Sequence, residues 1–131
     1  MDPVTRCPCG SGLSYGECCG PLHSGAASAP TAERLMRSRF SAFAVGDPAY
    51  LLRSWHPDTR PASIEIDPDT RWLWLEIVRT ERGSERDGEG VVEFRAKYRV
   101  DAPEGRSSGV QHEVSRFSRV AGEWVYVDGE A

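Results

Sequence analysis

The segment 91-VVEFRAKYRV-100 decides the architecture. Val92, Phe94, Ala96, Tyr98 and Val100 alternate with Glu93, Arg95, Lys97 and Arg99. Successive side chains of a strand point to opposite faces, so this period of two describes a strand with one dry and one wet face. Downstream, APEGRSSG (102–109) reads as a turn, and VQHEVSRFSRV (110–120) with EWVYVDG (123–129) as a hairpin about Ala121-Gly122. Upstream, ERGSERDGEG (81–90) is a polar loop preceded by RWLWLEIVRT (71–80). Strict alternation there puts Trp72, Trp74, Glu76 and Val78 on one face and Leu73, Leu75 and Ile77 on the other. A strand apolar on both faces is covered on both sides or lines a pocket.

Before Pro61 the period becomes helical. Thr31 is suited to an N-cap with Glu33 in the first turn, and Met36, Phe40 and Phe43 recur at i, i+4 and i+7 as one buried stripe. Gly46 ends that helix. Asp47-Pro48 starts a second, filled by Tyr50, Leu51, Leu52 and Trp55 until Pro57 stops it. Two helices followed by four antiparallel strands predict an α+β domain with helices packed on a curved sheet.

The remaining N-terminal residues carry no apolar pattern, but they hold every cysteine of the chain. CPCGSGLSYGECCG (7–20) contains Cys7, Cys9, Cys18 and Cys19. Gly10, Ser11 and Gly12 allow the reversal that brings the two pairs together, and Gly16 and Gly20 loosen the chain about the second pair. Backbone amides of the reversal are expected to face the sulfurs. A structural zinc ion suits four thiolates on one point, with the coordination sphere full and no site for a water nucleophile; iron is the alternative ion. Two other chemistries compete. Disulfides are disfavoured in a reducing compartment, and Cys18 and Cys19 cannot bridge each other without strain. Redox work is disfavoured because no C-x-x-C is present. His23, just outside the cluster, reads as a solvated loop residue that could also serve a sulfur. HSGAASAP (23–30) is a linker.

At 131 residues, 39% hydrophobic and 27% charged, with a net charge of −4, the composition is that of a globular protein and argues against general nucleic-acid binding. No apolar run is long enough to cross a bilayer, and MDPVTR shows no secretory signal. A cytoplasmic protein without membrane attachment is expected.

The motif C-P-C-G-S-G-x5-C-C-G resembles the SEC-C motif, the zinc module at the C-terminus of the preprotein translocase motor SecA. The likeness implies that Cys7, Cys9, Cys18 and Cys19 are the ligands. The SecA module is lysine-rich between its cysteine pairs and binds the chaperone SecB. Here LSYGE holds no lysine, so SecB binding does not transfer. LMRSRFSAF, DPAYLLRSWHP, WLWLEIV, VVEFRAKY and SRFSRVAGEWVYVDG together resemble the YchJ-like family of uncharacterised bacterial proteins. That resemblance implies an N-terminal SEC-C zinc motif over 1–24 and a cone-shaped domain of the nuclear-transport-factor-2-like (cystatin-like) class over 28–131. Many relatives carry a second SEC-C motif after the cone, which VDGEA does not contain.

Such cones hold an apolar pocket and host enzymes and binding modules alike. The first expectation is a binding or adaptor module recognising a protein through the zinc tab or a small ligand in the pocket, with a homodimer through the open sheet as a further option. The alternative is an isomerase, dehydratase or hydrolase. For it, His56 and Asp58 of SWHPD offer a base oriented by a carboxylate, and Glu76 beside Trp72 and Trp74 offers a carboxyl with a raised pKa. His112 and Glu113 could contribute from a third strand. The plainer roles are helix capping for His56, a cross-strand arginine pair for Glu76 with Arg95 or Arg99, a cross-strand polar pair for His112, and core packing for Trp72, Trp74 and Trp124. Arg37, Arg39 and Arg116 are read as ion-pair partners, with anion binding as the other use.

Overall fold

The computed structural model describes residues 1–131. Its elements are a single 3-10 turn at Tyr15–Glu17, then α1 (Cys19–Ser24), α2 (Ala32–Val45), α3 (Pro48–Arg53), β1 (Thr70–Arg82), β2 (Glu89–Ala102), β3 (Gly105–Val120) and β4 (Glu123–Glu130). The strands form one antiparallel meander in the order β1-β2-β3-β4, and α2 packs against one face of it. The helix signals act as expected. The Thr31 side chain accepts from the Arg34 amide at 3.1 Å, and Asp47 accepts from the Tyr50 amide at 3.1 Å. Gly46 closes α2 at φ 78°, a left-handed value that costs other residues more.

The core forms between α2 and the sheet. Met36 and Phe40 meet Val92, Phe94 and Ala96 of β2, Phe117 of β3 and Trp124 of β4, all buried. Burying one such side chain stabilises the fold by roughly 1.5–3 kcal/mol before entropy. A second cluster joins Leu22 of α1 to Ala42, Tyr50 and Leu51, so the N-terminal region is packed on the helices and does not trail from them. No helix is long and apolar enough to cross a membrane.

Four local readings are corrected. Strict alternation fails in β1, where register shifts lie between Trp72 and Trp74 and between Ile77 and Arg79. Leu73 and Val78 are the extra residues and stand 46% and 43% exposed. Each extra residue resets the alternation, so Trp72 shares the inner face with Leu75 and Ile77, while Trp74 and Glu76 face outward. The bulges thus account for a strand that reads as apolar on both faces. The turn expected over 102–109 shrinks to Pro103-Glu104, because pairing continues from Ala102↔Gly105 to Arg99↔Ser108 and Arg106 reaches Asp101 at 3.0 Å. The helix expected through Trp55 stops at Arg53, where Trp55 leaves to bridge Tyr126 of β4. Lastly, Gly16 does not loosen the chain; a Cβ there would lie 2.8 Å from the Pro3 Cβ, so it permits a close backbone approach.

Candidate metal centre and the cavity of the cone

The thiol loop folds back as its glycines predict. Gly10 and Gly12 take φ of 81° and 89°, and the returning chain is held by Cys7 N–H to Leu13 O at 2.9 Å and Tyr15 N–H to Thr5 O at 2.7 Å. All four Sγ atoms fall within 4.8 Å of one another, and all four cysteines are buried. The Cys9–Cys18 and Cys18–Cys19 sulfur separations are 3.6 and 3.9 Å. A tetrahedron with metal–sulfur bonds of about 2.3 Å has an edge of about 3.8 Å, so the spacing fits a single four-coordinate ion. The thiols also restrain one another's charge. Hydrogen bonds from Cys19 and Cys9 hold Cys7 far below its ordinary pKa, burial pushes Cys18 up, and the bond to Cys7 pushes Cys19 far up. A divalent cation bound at their centre would relieve that conflict.

Ser11 Oγ of the loop lies 3.1 Å from Cys18 Sγ, and the other side chains around the sulfurs come from α2. Arg34 donates from Nη1 to Cys19 and from Nη2 to Cys18, both at 3.4 Å. Arg37 donates to Cys9 O at 2.8 Å, and Ser41 Oγ lies 3.5 Å from Cys7 Sγ. A guanidinium thus joins the Cys9 backbone amide, which hydrogen-bonds Cys7, in balancing the charge of the sulfurs. His23 is no solvated loop residue. It is buried at 9% exposure, donates from Nε2 to Ser38 O at 2.8 Å, and takes the Tyr15 hydroxyl at Nδ1 at 2.6 Å. Both ring nitrogens are occupied, so neither serves a sulfur.

Arg34, Arg37, Ser38 and Ser41 follow i, i+3, i+4, i+7 spacing. That polar stripe is visible in the sequence, but a polar helix face reads as solvent until something is known to cover it.

On its other side α2 closes a cavity of about 230 Å³. Its apolar walls are Met36, Phe40 and Phe43 of α2, Trp72 of β1, and Phe94 and Ala96 of β2. Arg39, Trp55, Gln111, Glu113 and Tyr126 supply the polar part. Arg39 is 4% exposed and forms no ion pair, unlike Arg37 with Glu33 at 3.1 Å and Arg116 with Asp128. Its Nη1 donates to Leu51 O at 2.8 Å and Ser54 Oγ at 2.7 Å, and its guanidinium lies 5.0 Å from the Trp55 ring and 4.6 Å from Tyr126. Burial lowers its pKa to about 10, which leaves it charged at neutral pH. Glu113 accepts from Ser115 Oγ and from the Tyr126 hydroxyl at 3.3 Å.

The other carboxylate and histidine candidates lie elsewhere. His56 and Asp58 line a polar groove with Thr59 and Arg116. His56 Nδ1 accepts from the Asp58 amide at 3.0 Å, and the His56 amide donates to Tyr126 O at 2.7 Å, so it ties the α3 exit to β4 and does not cap the helix. Glu76 sits on the outer sheet face, 3.9 Å from Arg95. His112 pairs with Glu93 at 2.6 Å. Trp124 is core and Trp72 lines the cavity, but Trp74 is 44% exposed because of the first bulge. Glu113 is the one acidic candidate that reaches the cavity.

A family model described as "YchJ, middle NTF2-like domain" matches residues 31–129, and one described as "SEC-C motif" matches residues 5–21. The chain belongs to the YchJ-like family. Within it, a UPF0225 protein of Streptomyces coelicolor is 55% identical over 128 residues, covering 98% of this chain and 97% of the relative. One from Corynebacterium glutamicum is 51% identical over 125 residues, covering 95% and 96%. Among solved structures, a SEC-C motif containing protein from Rhodopseudomonas palustris superposes with TM-score 0.81 at 33% identity, covering 95% of this chain and 97% of that one. Another from Psychrobacter arcticus gives TM-score 0.73 at 28% identity, covering 96% and 82%. The YchJ-like fold and the cysteine cluster thus occur together in this chain, and the cluster suggests metal binding.

Proposed function

We propose that this YchJ-like protein is a zinc-pinned binding module of the cytoplasm that recognises a small ligand in the cavity of its cone. Cys7, Cys9, Cys18 and Cys19 hold the ion. Four thiolates satisfy a tetrahedral ion completely, so the metal supplies cross-linking and no catalytic water. A reducing compartment keeps such thiols available as ligands. The observation that carries the reading is the cavity, walled by aromatic and aliphatic side chains and fitted with few polar groups, as small-molecule sites are. Both features share α2, whose Arg34 side meets the sulfurs and whose Phe40 side meets the cavity.

Two measurements test the proposal. Metal analysis of reduced protein should find about one zinc per chain, and ligand-observed NMR should find compounds that bind saturably and are excluded by Ala96→Leu, which fills the cavity. No stoichiometric ion, or no compound sensitive to Ala96→Leu, overturns the corresponding half.

A second reading, acid–base catalysis in the same cavity, is favoured by Glu113 beside the Tyr126 hydroxyl. It requires a bound compound to be chemically altered on incubation and Glu113→Gln to stop the change while binding persists.

A further inference from the structure

We infer that the cavity takes a small organic acid, its carboxylate held by Arg39 and its ring-sized apolar body lying against Phe40, Phe43 and Trp72. This rests on the cavity being the recognition site and names what it recognises. Arg39 is a buried cation with no acidic side chain in contact, its nearest charge partner being Glu113 across the cavity, and a charge taken out of water costs several kcal/mol unless something compensates it. The Trp55 and Tyr126 rings compensate part of that cost through their π faces. Only Nη1 is used by protein acceptors, which leaves Nε and Nη2 without one. Trp55 lines the same cavity with its ring, while its indole N–H is buried away from it without an acceptor. The Arg39 nitrogens that no protein acceptor takes keep accessible area in the cavity, and a guanidinium with free N–H groups in an apolar pocket points to a ligand that brings anionic oxygens.

The opposite polarity is also present. Glu113 and Gln111 offer acceptors from β3, and the Tyr126 hydroxyl is engaged with Glu113. A ligand with a carboxylate at one end and a hydroxyl or amine at the other satisfies both walls. Size narrows the class further. At ~30 Å³ for each water, the 230 Å³ cavity holds roughly eight waters, room for a single substituted ring.

The test uses zinc-loaded full-length protein and tryptophan fluorescence, with 4-hydroxyphenylacetate as the probe. Its amide, p-cresol and tyramine serve as matched compounds without the carboxylate. The acid should bind saturably, each matched compound at least tenfold more weakly, and Arg39→Gln should erase the preference while the circular dichroism spectrum is unchanged. If Arg39→Gln does not fold, the compound series on the natural chain decides alone. Equal binding of acid and amide, or tightest binding of tyramine, with Ala96→Leu blocking all of them, overturns the carboxylate assignment and leaves the cavity reading standing. Binding by none of these compounds overturns the carboxylate assignment. If a wider ligand-observed NMR screen then finds no compound that Ala96→Leu excludes, the cavity reading falls too.

Discussion

The N-terminal loop and the cone domain are ordered by different forces. In the cone, nine buried apolar or aromatic residues from α2 and three strands form one cluster. In the loop, the buried cluster is the four cysteines with Tyr15 packed beside them. A segment of that size cannot bury enough apolar surface to offset its lost chain entropy, so cross-links replace the missing core. The comparison teaches that one short chain can join a region ordered by hydrophobic burial to one whose buried cysteine cluster suggests metal ligation, with α2 packed against both.

The largest effect should come from breaking the metal side alone. Zinc ligation in small sites is worth about 10–16 kcal/mol of apparent binding energy, most of it spent on order. Chelation, or Cys18→Ser with Cys19→Ser, should strip hydrogen-exchange protection from residues 1–20 while amides of β2 and β3 stay protected. Loss of protection across the whole sheet would show instead that the two regions fold as one unit. Next comes the apolar side. Phe40→Ala should cost about 3–5 kcal/mol in urea unfolding, with the bound metal retained in the folded fraction. Metal loss from folded Phe40→Ala protein would break the division.

Smaller effects sharpen the boundary. Arg34→Met removes the guanidinium from Cys18 and Cys19, and groups that support ligating atoms typically govern about 10–100-fold in metal affinity. A chelator competition should read that loss, with the urea midpoint of the sheet unmoved. Unchanged affinity would reduce Arg34 to a packing residue. The smallest effect lies on the outer sheet face. The hydrogen bond from His112, with Arg79 beside it, holds the Glu93 carboxyl below the usual carboxylate range. A carboxyl lowered on folding stabilises above its unfolded pKa of about 4.3, and that stabilisation fades as pH falls through the folded value. Natural chain and Glu93→Gln should therefore differ slightly at pH 6 and converge in acid, with the gap shrinking in high salt. A gap that grows in acid contradicts the pairing.

Much of the cone was legible because its signals are local. The alternation of 91–100, the Thr31 and Asp47 caps, and the Ala121-Gly122 hairpin, whose residues take φ of 53° and 82°, each depend on neighbours in the chain. The β1 bulges were not legible, since an extra residue is defined only against the partner strand: Trp72↔Tyr98 is followed by Trp74↔Lys97. The cysteine cluster was legible from four cysteines in fourteen residues. Its arginine support was not, because Arg34 looks like any solvent-facing charge on an amphipathic helix.

What the amino-acid order determined by itself is whatever a few adjacent residues can enforce: periodicity, caps, turns and the crowding of thiols. The tertiary structure alone decided where Glu76 and Trp74 face, that Arg34 meets sulfur, and that Arg39, Trp55 and Glu113 converge on one cavity. Those positions are separated by up to 74 residues (39 to 113), and only packing of α2 against the sheet brings them together. Register and burial are properties of pairs of segments, so no reading of one segment contains them.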